Sequence, residues 1–506
     1  MKKPLSPLIR SYFASRNKGI QHWITNAVSY QQNIFDYLVY VGQKTVWGQT
    51  YAYDKIKNTK HYAQAVPIQS YETLQPFIDK VLLGEQNVLW HTPIRWFAKS
   101  SGTTSDKSKF IPISTASFHK NHYLGARDIL SLYCIANPNT RIFEGKGLII
   151  GGSHQINQLN KAVSYGDLSA VLAQNMPAMG HYMRTPDLAT TLLPNWDKKL
   201  ERIVQITKSQ NVTQMAGVPT WTLIVLKRLL EETGKDNVAD VWQNMELYLH
   251  GGVSFTPYEQ QFKQLIRSDK MQYWQTYNAS EGFFAIQDQA YRNDMVLLAN
   301  HGIYYEFMPM SELGAEHPRI LQLHEVEVGQ NYALIISTFS GLWRYMVGDT
   351  VQFTTLAPYR IRVTGRTKHY INAFGEEVIV DNADAALAAA CAKHHATVLD
   401  YTAAPIYFGD THNGGHEWLI EFEQLPNNLA AFATDLDQEL QNRNSDYEAK
   451  RYKDMAMQAA VVRAVPKGTF YRWLQSKGKL GGQNKVPRLS NTREYLDAII
   501  EFTIGN

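Results

Sequence analysis

The chain has 506 residues, too many for one hydrophobic core, so two or more domains are expected. A hydrophobic fraction of 44% with 19% charged residues fits a folded globular protein and excludes a disordered one. The formal net charge of +4 is small for this length and gives no case for nucleic acid or an acidic membrane, both of which call for a dense basic patch.

Cys134 and Cys391 are the only cysteines, which excludes a disulfide framework, and neither sits in a metal-ligand spacing. The most apolar runs, WTLIVLKRLL and YALIISTF, are far shorter than a membrane span. The N-terminal MKKPLSPLIRSYFASRN lacks the apolar core of a signal peptide. A soluble cytoplasmic protein is the expectation.

From the N-terminus, IQHWITNAVSYQQNIFDYLVYV sets aromatic and aliphatic residues at helical spacing, and the aromatic richness of the first 130 residues predicts core packing. SYETLQPFIDKVL predicts a helix capped by Ser70, with Thr73 and Leu74 in its first turn. After Arg141 the texture changes. KGLIIGG reads as a buried strand ending in glycines, and NVTQMAGVPTWTLIVLKRLLEETG as a strand, a Gly-Val-Pro turn and a helix from Thr220. MELYLHGGVSFTPYEQQFKQLI repeats the scheme, with Gly251-Gly252 between strand and helix. Strands followed by glycine turns and helices predict an α/β fold with ligands near the strand ends. Between Met295 and Thr364 the chain turns β-rich, and a fresh α/β run begins at EEVIVDNADAALAAACAKHH. The expected division is 1–364, a large domain of mixed sheets flanked by helices plus a β-rich subdomain, and 365–506, a smaller α+β domain.

Four segments carry chemistry. WFAKSSGTTSDKSKF places Ser100, Ser101, Gly102, Thr103, Thr104 and Ser105 together, with Lys107 and Lys109 close behind. Small residues expose backbone N–H groups and add hydroxyls, so this loop can wrap an oxyanion or can simply be solvated. In YNASEGFFAI, Glu281 follows Ser280 among Tyr277, Phe283 and Phe284. A carboxylate there must pair, bind a cation or turn to solvent. SGLWRYMVGDTVQF places Asp349 after Gly348 at what reads as a turn, where it can accept bonds from two hydroxyls or serve only as a turn residue. GKLGGQNKVPRLSN puts Lys485 on a glycine-flanked loop, which usually means a solvated lysine.

In this order, SSGTTS, YNASEG, WRYMVGD, GRTK and GGQNK resemble the adenylate-forming enzyme superfamily, and more narrowly the bacterial branch of the GH3 family of acyl-acid amido synthetases. VPIQSYETLQPFIDKVLLGEQNVLW is similar to that family's signature upstream of the phosphate loop. HEWLIEFE, NSDYEAKR and GKLGGQNKVPRL are similar to its C-terminal signatures, so the resemblance covers nearly the whole chain. Ala279 departs from it, standing where many relatives carry a second serine.

The resemblance implies an enzyme that joins a carboxylic acid to ATP, releases pyrophosphate, and passes the acyl group to an amine, an amino acid by expectation. It implies that Ser100, Ser101, Gly102, Thr103, Thr104 and Ser105 hold the β- and γ-phosphates. Glu281 would hold Mg²⁺, Ser280 would bind ATP, Asp349 the ribose hydroxyls, and Arg366 the ribose or phosphate. Tyr277 would flank the adenine beside Gly251 and Gly252. Lys485 would be the catalytic cation, carried to the α-phosphate by a mobile C-terminal domain hinged near Gly365-Arg366. From the residues alone, some of the N-terminal aromatics could line an acyl pocket. The close rival is an acyl-CoA ligase, which shares the first half-reaction; a catalytically idle ATP-binding protein is the rival from another class. No nucleic acid or membrane partner is expected.

Other signals lead elsewhere. No Walker loop occurs, and GGSHQ lacks the pattern of a nucleophile elbow. His119 and His122 share a helical spacing but have no third ligand, so exposed or capping roles are expected. His394 and His395 read as surface residues.

Overall fold

A computed structural model describes residues 5–100, 109–151, 156–252, 255–256, 258–367, 370–371, 373–374, 376, 378–407, 414–451, 457–478, 485–490 and 492–504. The chain forms two compact units. Among the described residues, one takes in the chain up to Gly252 together with Ile266–Val363; the other takes in those from 255 to Leu265 and from Thr364 onward.

In the first unit the described residues form an eleven-stranded sheet. Its parallel half runs Arg184–Thr185, Lys146–Ile149, Val212–Gly217 (β1), Leu247–Gly251 (β2) and Gln272–Ala279 (β3). The antiparallel half continues from β3 through Gly282–Ile286 (β4), Met295–Leu297, Tyr359–Arg366, Tyr345–Leu356 (β5), Asn331–Thr338 (β6) and Ile303–Pro309. Helices lie between the parallel strands β1 and β2, whereas tight turns join β3 to β4 and β5 to Tyr359–Arg366. The helix after β1, Pro219–Thr233 (α1), begins one residue earlier than the sequence reading because proline's fixed φ suits the first helical position. It stops at Gly234, whose φ of 63° is a left-handed cap. The predicted helix after Pro67 is Tyr71–Leu82, closed by the reciprocal bonds of Ser70 and Thr73.

The N-terminal aromatics do pack the core: Phe35, Trp47, Tyr53, Tyr62 and Trp90 join Trp343 and Tyr305 in one cluster. Within it lies a buried ion pair. Arg344 gives Glu306 a bond from its NH2 group at 2.9 Å, and a second guanidinium arm reaches the Ala63 and Val66 carbonyls at 2.9 and 2.6 Å. Such a pair contributes geometry more than stability, and here it fixes the chain entering β5.

The second unit holds a three-stranded sheet of Thr397–Ile406 (β7), Gly415–Gln424 (β8) and Val461–Val465, covered on both faces, and a two-stranded pair of Tyr370–Ile371 and Val378–Ile379. Alternate residues face opposite ways. Ala403, Trp418 and Ile420 pack with Val380–His394 (α2) and Leu429–Arg443, whereas Ala404 and Leu419 pack with Thr469–Ser476 and Glu494–Ile504.

Two expectations are corrected. Gly348 and Asp349 do not form a turn; they lie inside β5, where the register against β6 shifts and Gly348 takes φ 89°. His122 is neither exposed nor a cap, being 2% exposed inside the π-turn Phe118–His122. His119 is exposed, and among the described residues no cluster of three or more histidines, cysteines or carboxylates could hold a metal. His394 bonds Asp435 and His395 is exposed.

Candidate functional site

Because β1, β2 and β3 are parallel, the residues at their carboxyl ends share one sheet edge, where open α/β sheets collect ligands. Gly251 ends β2 opposite Thr276. A Cβ on Gly251 would lie 2.5 Å from the Thr276 carbonyl oxygen, so only glycine fits this close approach. Gly252 follows with φ 81°, a left-handed conformation that glycine adopts without strain. Beneath them His250 is buried, and desolvation pushes its imidazole down to about 3, so it is neutral at pH 7.

Next to Gly251, β3 carries Tyr277 and then closes a tight hairpin. Ala279 pairs with Gly282, leaving Ser280 and Glu281 as the two turn residues. Ser280 is buried and Glu281 half-buried, so the acid is held at the edge rather than in the core. Tyr277 packs against Phe284 at 4.8 Å and donates its hydroxyl to Asp349 Oδ2 at 2.7 Å. The bulge at Gly348 gives Asp349 this direction, since an extra residue re-aims the side chains that follow it. Gly251, Gly252, Tyr277, Ser280 and Asp349 are thus brought to one neighbourhood of the first unit, with Glu281 beside them.

The serine- and threonine-rich loop is only partly described. Ser100 ends the strand Ile94–Ser100 and pairs with Lys109, which opens Lys109–Ser114. Ser101, Gly102, Thr103, Thr104 and Ser105 lie outside the described residues, as does Lys107.

Arg366 ends the strand Tyr359–Arg366, whose last three residues belong to the second unit, and Lys485 of the same unit is half-buried. The residues after Lys485 are anchored. Val486 is 3% exposed, Thr402 Oγ1 donates to the Pro487 carbonyl, and the Ala403 N–H donates to the Arg488 carbonyl. The sequence reading missed three features: the Tyr277 hydroxyl as partner of Asp349, neutral His250, and Arg488, whose side chain is 11% exposed. Only the last left a signal, an arginine in a run otherwise apolar from Val486 to Leu489.

The carboxyl edge of the parallel half thus carries two glycines and, on strands β3 and β5 of the same sheet, a hydrogen-bonded tyrosine–aspartate pair. The chain matches the GH3 family N-terminal domain over residues 16–271, the central domain over 296–366 and the C-terminal domain over 381–494. The chain belongs to the GH3 family. It is 22% identical to the 4-substituted benzoates-glutamate ligase GH3.12 of Arabidopsis thaliana, over 95% of this chain and 96% of that protein. It is also 22% identical to the indole-3-acetic acid-amido synthetase GH3.8 of Oryza sativa subsp. indica, over 96% and 92%. The solved structure of the AtGH3.15 acyl acid amido synthetase in complex with 2,4-DB shares the fold at a TM-score of 0.81 and 16% identity, covering 98% of this chain and 96% of that one. A 2-hydroxyisobutyryl-CoA ligase in the postadenylation state matches at 0.57 and 12% identity, over 97% and 93%.

Proposed function

We propose that this chain is an ATP-dependent acyl-acid amido synthetase. It activates a carboxylic acid as the acyl-adenylate with release of pyrophosphate, then passes the acyl group to an amine, an amino acid in this reading. The observation that carries the assignment of the nucleotide site is the Tyr277–Asp349 hydrogen bond beside Gly251, in a chain that matches GH3 amido synthetases over nearly its whole length.

A carboxylate is a weak nucleophile that must approach a polyanion, so the first step needs charge neutralisation more than an acid or base. In the proposed mechanism Asp349 accepts bonds from the ribose hydroxyls while Tyr277 orients it and flanks the adenine. Gly251 and Gly252 leave room for the base. Ser100 to Ser105 hold the β- and γ-phosphates by backbone and hydroxyl donors, and Arg366 assists at the ribose or phosphate. Lys485 brings its ammonium to the α-phosphate and the attacking carboxylate from residues 365–506, with the hinge at Gly365-Arg366.

Mg²⁺ fits this donor set. It favours one or two carboxylates with phosphate oxygens and water, and a single half-buried Glu281 beside a triphosphate supplies that. When bound it would neutralise phosphate charge; Glu281, with Ser280 next to it, would hold it.

We also place the chain in the bacterial branch of the family, a reading that rests on the motif set and accords with identities of only 22% to the two plant enzymes. We place the reaction in the cytoplasm, where ATP is available; no helix among the described residues is long and apolar enough to cross a membrane. The test is ATP–pyrophosphate exchange over a panel of aryl, indolyl and fatty acids. Exchange that depends on one class of acid supports the reading, and exchange with none of them removes it.

A further inference from the structure

We infer that Arg488 is a positioning residue for Lys485, acting through a buried polar network in the second unit. The inference rests on the role proposed for Lys485. Arg488 stands three residues after the lysine and is 11% exposed in its side chain. Its NH1 group donates to Asp384 Oδ1 at 3.0 Å and its NH2 group to the Tyr258 hydroxyl at 2.8 Å. Tyr401 donates to the same Asp384 oxygen at 2.6 Å, and the guanidinium lies 4.8 Å from the Tyr401 ring centre. Asp384 belongs to α2, Tyr401 to β7, and Tyr258 directly precedes the helix Glu259–Leu265. One side chain therefore ties the lysine's segment to three separate elements.

The backbone is held as firmly as the side chain. The Arg488 carbonyl accepts from Ala403 N–H at 2.8 Å, and the Ala403 carbonyl accepts from Ser490 N–H at 3.0 Å. Leu489 is fully buried. An apolar residue at 488 would satisfy this packing without the desolvation cost of a guanidinium, since buried ion pairs are often replaceable by well-packed hydrophobes at no loss of stability. What a planar fork adds is direction: two fixed donors and a ring contact set one orientation for the chain leaving Lys485. A cation that must meet a carboxylate and a phosphate together gains from that, because sub-ångström misplacement is costly in rate.

A double-mutant cycle separates positioning from stability. Arg488→Lys and Lys485→Ala are made singly and together, and ATP–pyrophosphate exchange is measured with whichever of benzoic, indole-3-acetic and octanoic acid supports it best. ATP affinity and thermal midpoint are read alongside. Arg488→Lys is expected to lower exchange at least ~10-fold with ATP affinity unchanged, and to cause no further loss when Lys485 is already alanine. Equal losses in both backgrounds, or full exchange in a folded Arg488→Lys protein, would overturn the inference. Parent-level exchange in Lys485→Ala alone would overturn both this inference and the reading beneath it. If Arg488→Lys does not fold, Tyr258→Phe carries the same comparison, with a few-fold loss expected only where Lys485 is present.

Discussion

Tyr277 donates its hydroxyl to Asp349 Oδ2 at 2.7 Å, joining two residues 72 positions apart on separate strands of one sheet. The bond fixes the direction of the Asp349 carboxylate. If Asp349 holds ribose, Asp349→Ala should weaken ATP at least ~10-fold, because charge-assisted bonds contribute about 1.5–3 kcal/mol each. Tyr277→Phe keeps the ring and removes only the orienting bond, so a smaller loss of roughly 3- to 10-fold is expected. Calorimetric titration of ATP measures both. Equal affinities for all three proteins would take the pair out of the nucleotide site.

Glu281 occupies a two-residue hairpin turn at a sheet edge, not the core. Glu281→Ala should therefore abolish Mg²⁺-dependent adenylation and leave the thermal midpoint nearly unchanged. Activity and unfolding are followed on the same preparation. A large fall in midpoint with proportionate residual activity would make the glutamate a structural residue.

Burial holds the His122 imidazole down to about 4, against an ordinary value of 6.5, and a side-chain bond to Asn278 opposes this only in part. Between those values the unfolded chain takes up a proton that the folded chain refuses. Stability from this group is full above about pH 6.5 and is lost as pH falls toward 4. His122→Gln should flatten that decline. Thermal midpoints of parent and variant, compared from pH 7.5 to 4.5, are expected to converge at the acid end, and parallel profiles would count against a neutral buried imidazole.

Lys485→Ala should divide the two half-reactions. ATP binding should persist, since Tyr277, Glu281 and Asp349 all lie in the first unit. Adenylation should fall about 10²–10³-fold, the usual loss for one preorganised donor. Chemically supplied acyl-adenylate and amine should still give amide near the parent rate, because AMP is already the leaving group. Normal pyrophosphate exchange in the variant would make Lys485 an ordinary surface lysine.

The strand, glycine turn and helix at Val212–Thr233 and again from Leu247 to Leu265 were legible because each signal is local: an apolar run, a glycine turn after it, then a helical period. Asp349 was legible as a residue but not in its setting. A bulge depends on register against β6, and no local pattern distinguishes Gly348 in a bulge from Gly348 in a turn. The burial of His122 escaped for a similar reason, since a π-turn moves a side chain off the face that helical spacing assigns it. Pairings such as Tyr277 with Asp349, Arg344 with Glu306, or Arg488 with Asp384 join distant segments, and composition carries no trace of them.

The most direct measurement of the central claim is product analysis with the purified chain, ATP, Mg²⁺ and the acid that best supports pyrophosphate exchange. A mixture of amino acids is supplied in one reaction and coenzyme A in the other. The account predicts AMP release coupled to an acyl–amino acid amide in the first reaction, and no thioester in the second. Thioester formation with coenzyme A and no amide with any amino acid would contradict it.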